Sequence, residues 1–150
     1  AISYNFGAKK YMRVKKMRNL TFIISLILGI LLGISSLMFS NELAGLFLTD
    51  DNIINIADKI LSYYSFSFIF ICVNISVATY YTSIDDPIRS GAIAIYRSFI
   101  ASVIGLLILP ILFGQSGIWM TVIFVEVSTL LIGYMMIERN PFGKTKVEAI

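Results

Sequence analysis

The sequence has no histidine and only one cysteine, Cys72. Without histidine the chain has no Ser-His pair for nucleophilic hydrolysis and no imidazole to bind a metal ion. One cysteine cannot form a disulfide within the chain, so we interpret Cys72 as a buried, inert thiol. A glycine-rich phosphate-binding loop is also missing from the sequence, which excludes nucleotide hydrolysis. We therefore expect neither an enzyme nor a bound cofactor.

Charged residues are scarce. They make up 14% of the sequence, whereas 57% is hydrophobic, and a typical soluble domain has about a quarter charged residues. Apolar runs occupy residues 20–40, 60–81, 91–112 and 118–137, and about 20 helical residues cross the roughly 30 Å hydrocarbon core of a bilayer. The predicted fold is an all-α integral membrane protein with four transmembrane helices. A basic loop, 1–19, precedes these helices and a polar tail, 138–150, follows them.

Basic residues are distributed unevenly between the two predicted sides of the membrane. Eleven of the twelve Lys and Arg residues fall in or next to 1–19, the connector after residue 81 and the tail, whereas Lys59 is alone on the other side. The positive-inside rule then places both termini in the cytoplasm and the acidic segment 41–58 outside. We interpret the basic block in 1–19 as this topogenic charge. Specific binding of anionic lipids is the weaker alternative.

The first two predicted spans carry residues suited to helix contacts. Gly29 and Gly33 form a GxxxG pattern, which we interpret as a contact within the chain rather than a dimer interface. In the second span, polar side chains fall on two nearly opposite helical faces, which predicts two protein neighbours or a cavity. One face has Ser65, Cys72, Ser76 and Thr79, and the other has Ser67, Asn74 and Tyr81. The candidates for a substrate or ion pathway in this span are Asn74, Tyr63, Tyr64 and Phe70, although Asn74 is more typical of interhelical hydrogen bonding.

The third span should begin at Asp86-Pro87, because aspartate is a good N-cap and proline fits the first helical turn. The aspartates of the acidic segment 41–58 are likewise well placed to cap the second helix. Arg97 lies about two turns inside this span, and we expect its side chain to extend back toward the interface. Pro110 should distort only the last turn. The segment 113–117 predicts a tight turn, so the last two spans should form a hairpin.

The last span, 118–137, contains one carboxylate, Glu126, close to its centre. Trp119 and Tyr134 would mark the two membrane interfaces. A charged side chain at the bilayer centre costs about 2.5 to 3.5 kcal/mol even on the lenient insertion scale. Glu126 should therefore face protein or a water-filled cavity, or be protonated.

Two roles remain open for Glu126. Helical spacing places it in a small, polar stripe with Thr129 and Gly133, which suits contact with a neighbouring helix. The carboxylate could take part in proton exchange, or it could hold helices together through a buried hydrogen bond. We favour the structural role.

Three stretches carry a resemblance to a known family. They are residues 4–10 (YNFGAKK, with Gly7 and Ala8) followed by Arg13-Val14, residues 43–47 (LAGLF), and residues 109–119 from Leu-Pro to Gly-Ile-Trp. Together with Arg97 and Glu126, their order and spacing resemble the C-terminal lobe of multidrug and toxin extrusion (MATE) transporters.

The resemblance implies the last four helices of a twelve-helix, two-lobe antiporter, with the remaining N-terminal helices and membrane lipids as partners. Such transporters export cationic, lipophilic drugs by alternating access, in exchange for protons or sodium ions. Sodium-coupled members of that family often carry an acid in the helix that matches residues 60–81, and this chain has none there, so the resemblance does not imply a sodium site in this lobe. The expected location is the cell membrane, in particular the bacterial plasma membrane. The alternatives are a lipid-linked saccharide flippase of the same superfamily and a free-standing four-helix scaffold.

Overall fold

The computed structural model describes residues 1–142, so Lys144 and Lys146 of the predicted tail lie outside the described residues. The elements are α1 (Ile2–Gly7), α2 (Tyr11–Met38), α3 (Ser40–Gly45), α4 (Asp51–Ser83), α5 (Pro87–Ile95), a π-helical turn (Tyr96–Ala101), α6 (Ser102–Phe113) and α7 (Gln115–Arg139). Within residues 1–142, four helices are long and apolar enough to cross a membrane, counting Pro87–Phe113 as one. The predicted all-α architecture is therefore confirmed.

The helices extend beyond the predicted apolar runs. The predicted loop 1–19 contains α1 and the start of α2, and α3 lies inside the predicted acidic loop. α4 begins at Asp51 rather than at residue 60, and α7 continues to Arg139. The helices are longer than the predicted spans because hydropathy locates the part of a helix that fits the hydrocarbon, whereas backbone hydrogen bonding continues through polar turns outside it.

Two aspartates begin helices as the sequence predicts. The side chain of Asp50 accepts a hydrogen bond from the backbone N–H of Asn52 at 2.8 Å at the start of α4. Asp86 accepts one from the N–H of Arg89, and Pro87 occupies the first turn of α5. Each carboxylate thus satisfies a backbone donor that has no partner within the helix.

α4 is the central helix, with α2 packed on one side and α7 on the other. A Cβ atom on Gly33 would lie 2.7 Å from the backbone oxygen of Ser65, and one on Gly29 would lie 2.8 Å from the Cα atom of Ile69. Small residues therefore bring the backbones of α2 and α4 together. On the opposite face of α4, Asn74 contacts α7. The two polar faces predicted for this helix each have a protein neighbour.

The turn between α6 and α7 depends on two glycines. Gly114 has φ +60° and ψ −140°, a conformation that residues with a Cβ atom rarely adopt. A Cβ atom on Gly117 would lie 2.2 Å from the backbone oxygen of Leu109. Pro110 lies inside α6, and the helix continues to Phe113. The predicted hairpin of the last two spans is therefore present.

A buried cluster lies at the predicted cytoplasmic end of the bundle, where α2, α4 and α5 meet. Its members are Val14, Val77, Tyr80, Tyr81, Ile84 and Ile93. Arg18 is also buried, with its guanidinium 5.6 Å from the centre of the Tyr80 ring. Most apolar side chains of the spans point away from the bundle. This outer surface suits contact with lipid or with further membrane helices.

Replacing a glycine by alanine should destabilise the fold only where the added methyl group has no room. We expect Gly33→Ala to reduce the free energy of unfolding by about 1 to 3 kcal/mol, because its Cβ atom would meet backbone and force α2 from α4. The matched control is Gly91→Ala in α5, whose Cβ atom would meet nothing within 4 Å. Gly91→Ala should be neutral or slightly stabilising. Thermal unfolding in detergent measures both, and equal melting temperatures would contradict the close approach of α2 and α4.

Candidate functional site

Glu126 is buried in the middle of α7, with 3% of its surface exposed. Its Oε1 atom accepts a hydrogen bond from Nε of Arg97 at 2.8 Å, and Nη2 of the same guanidinium lies 2.6 Å from Oε1 in an ion pair. Its Oε2 atom accepts a hydrogen bond from Nδ2 of Asn74 at 2.8 Å. The expectation that this carboxylate faces protein is correct. Both of its oxygens have donors, as a buried charge requires.

The direction predicted for Arg97 was wrong. Instead of extending back to the interface, its side chain crosses to Glu126, 29 residues later in the sequence. Arg97 is the second residue of the π-helical turn Tyr96–Ala101. A π turn holds an additional residue and changes the face of the helix from which side chains project. Local spacing shows neither this turn nor the distant carboxylate that attracts the guanidinium.

Asn74 is the third member of the network. Its Nδ2 atom donates to the backbone oxygen of Glu126 at 2.9 Å as well as to the carboxylate. The network therefore joins three elements: α4 through Asn74, the π-helical turn through Arg97, and α7 through Glu126. Because lipid offers no competing hydrogen bonds, such a network strongly fixes the relative positions of the helices.

A cavity of about 460 Å³ lies beside this network, lined by Arg97 and Glu126. Tyr64, a predicted pathway residue, lines it together with Trp119, which the sequence indicated only as an interface marker. A second cavity, of about 560 Å³, also includes Trp119, and Tyr63 lines it. The volumes are in the range of sites for drug-sized ligands.

Other predicted residues lie away from this network. Phe70 is partly buried on α4 and is not among the residues that line these two cavities. Gly7 and Ala8 are exposed at the end of α1. Gly29 and Gly33 lie between α2 and α4, and Pro110 lies at the hairpin of α6 and α7. A structural or gating role for Gly7, Ala8 and Pro110 and a pathway role for Phe70 stay predictions from the sequence.

Some cavity residues were missed by the sequence reasoning. Ser98, Ser102 and Thr121 line the cavity beside Arg97, but the hydroxyls of Ser102 and Thr121 donate to backbone oxygens of their own helical segments. Isolated serines and threonines are common in membrane helices for this reason. No sequence signal distinguished these three residues. In the part of the chain that the structure describes, no group of three or more His, Cys, Asp or Glu side chains is placed to hold a metal ion.

The fold and the site define a multi-pass helical membrane protein with an ion pair inside the membrane and a cavity beside it. A sequence model of the MatE family matches residues 1–111. The chain therefore belongs to the multidrug and toxin extrusion (MATE) family of membrane transporters. The match covers Asn74 and Arg97 and ends before Glu126. No curated protein and no solved structure matches the chain.

Neutralising Arg97 should destabilise the fold more than neutralising Glu126. Arg97→Gln should destabilise the fold by about 2 to 4 kcal/mol, because it leaves the buried Glu126 carboxylate without its counter-ion. Glu126→Gln should cost about half as much, because 32% of the Arg97 side chain is exposed. The double variant, which pairs two amides, should be more stable than the sum of the single effects implies.

Thermal unfolding in detergent of the four members of this double-mutant cycle measures the coupling. Strictly additive effects would show that the ion pair contributes nothing to the stability of the membrane-embedded fold.

Proposed function

We propose that these helices form part of an ion-coupled antiporter that exports drugs and toxins by alternating access. Membership in the MATE family supports transport. The observation that carries the proposal furthest is the network of Asn74, Arg97 and Glu126, because an ionisable group inside a membrane bundle is the usual mark of an ion or substrate pathway. The cavity beside the network supports the export of drug-sized, lipophilic molecules. The resemblance to the family implies that the exported molecules include cationic compounds.

A proton is the coupling ion that this geometry supports. Protonation of Glu126 would neutralise the carboxylate and weaken its hydrogen bond and its ion pair with Arg97, which would loosen the π-helical turn from α7. A bound sodium ion would instead lie next to the guanidinium, and two positive charges repel each other. The network can therefore act as a contact that opens and closes with the charge of Glu126. The bacterial plasma membrane is the proposed location.

The structural role of Glu126 is the competing interpretation. All three side chains of the network have partners, as expected for a permanent contact between helices. In that case, the contact would remain closed during transport, and another group would carry the coupling ion. The two interpretations make opposite predictions for a residue that keeps the shape of glutamate but cannot ionise.

Glu126→Gln in the complete natural protein tests the coupling. If Glu126 carries the proton, this variant should reach the membrane at nearly normal levels and lose more than about 90% of pH-gradient-driven export, because a group that cannot ionise cannot exchange protons. The measurement is efflux from proteoliposomes under an imposed pH gradient, made with a cationic dye, ethidium, and separately with an anionic dye, carboxyfluorescein. Glu138→Gln provides a matched control, because Glu138 lies on the same helix but is exposed.

Full, gradient-dependent export by the Glu126→Gln variant would eliminate this residue as the proton carrier and support the structural role. If the unmodified protein exports neither dye under a proton or a sodium gradient, the antiporter proposal itself is wrong.

A further inference from the structure

The polar wall of the cavity beside the network is cationic. Both carboxylate oxygens of Glu126 are engaged, and only 3% of that residue is exposed. By contrast, 32% of the Arg97 side chain is exposed. Arg97 uses Nε and Nη2 to bind Glu126, and no hydrogen bond joins Nη1 to a described residue. A molecule in this cavity therefore meets a guanidinium edge rather than a carboxylate.

The second cavity has the same sign of charge. It shares Trp119 with the first cavity and is lined by Lys59 and Gln115 near the ends of α4 and α7 that are predicted to face outside. Of the described residues that line the two cavities, Glu126 is the only acid, and its charge is already paired. The accessible charged side chains that line the two cavities, Lys59 and Arg97, are therefore both positive.

The depth of Arg97 argues for a solute rather than a lipid head group. Its partner Glu126 lies seven residues after Trp119 and eight before Tyr134, the two predicted interface residues, which is about 10 to 12 Å from either interface at 1.5 Å per residue. The phosphate of a membrane lipid stays at the interface, about 15 Å from the centre of the hydrocarbon. A small molecule that carries its own charge can reach this depth, whereas the head group of a resident lipid cannot.

We propose that the cavity binds a small organic anion with an aromatic or apolar body. Its carboxylate or sulfonate would accept a charge-assisted hydrogen bond from Nη1 of Arg97, and its body would pack against Tyr64 and Trp119. A cation would be repelled by the same guanidinium. The inference rests on the proposed export function, for which it names the substrate class at this site. It differs from the cationic class that the family resemblance implies.

Two probes of equal shape and opposite charge test the preference. Pyrenebutyrate and pyrenebutylammonium share one ring system, and pyrene absorbs where tryptophan emits. Binding is measured, without any ion gradient, as energy transfer from Trp119 in the complete natural protein in nanodiscs of neutral lipid. The part of the signal lost in Trp119→Phe reports the cavity. We expect pyrenebutyrate to bind about tenfold more tightly than the cation.

Lys59→Glu gives a variant outside the network. This variant should weaken pyrenebutyrate binding about fivefold and strengthen binding of the cation, because it reverses the charge at the second cavity. Lys16→Glu is the matched control, since Lys16 is equally exposed but lies near the start of α2. It should change neither affinity.

The Arg97→Gln/Glu126→Gln double variant should abolish the preference for the anion while keeping an amide pair in place of the ion pair. Its fold is checked by thermal unfolding. Equal affinity of the unmodified protein for both probes, or tighter binding of the cation, would overturn the inference. So would displacement of pyrenebutyrate from the cavity when phosphatidylglycerol is added to the nanodisc, because a lipid would then be the ligand. The export assays do not depend on these binding measurements. Anion binding without export would therefore refute the proposed function and leave the inference about the anion site standing.

Discussion

The hydrogen-bonded ion pair between Arg97 and Glu126 is the interaction on which the inner part of the bundle depends. A lone charge of either sign would be costly in hydrocarbon, and each one makes the other tolerable. Asn74 supplies the donor that the second carboxylate oxygen needs. The three residues come from three membrane helices, so the cost of burying one charge is offset only in the assembled fold. The network is therefore both a site of chemistry and a constraint on helix positions.

Close backbone contact is the second constraint. Lipid is as apolar as leucine, so membrane helices gain little from burying apolar side chains and depend on packing and hydrogen bonds. Gly29 and Gly33 let α2 approach α4, and Gly117 lets α7 approach the end of α6. α4 is held on one side by backbone packing and on the other by the polar network. The cavity beside Arg97 borders on both kinds of contact, because Arg97 and Glu126 line it and so does Thr121, against which Gly105 of α6 packs closely.

Sequence patterns predicted the parts of this structure that depend on local properties. The number of spans follows from apolar runs, the helix starts at Asp50 and Asp86 follow from capping, and the contact through Gly33 follows from four-residue spacing. The inward direction of Glu126 follows from the cost of a charge in lipid. Helix ends were less predictable, because polar turns continue a helix without changing hydropathy. The partner of Glu126 was not predicted at all.

The sequence by itself determined that the chain has four helices long and apolar enough to cross a membrane, and that Glu126 needs a partner. These properties depend on single residues, or on neighbours a few positions apart in the chain, and on the hydrocarbon core of the bilayer around them. Only the tertiary structure decided that the partner is Arg97 and that the accessible charge in the cavity is positive. Residues 29 positions apart were brought together by a π-helical turn and by helix packing. The sign of the charge that a cavity presents depends on which group is already paired, and pairing is a property of the assembled helices.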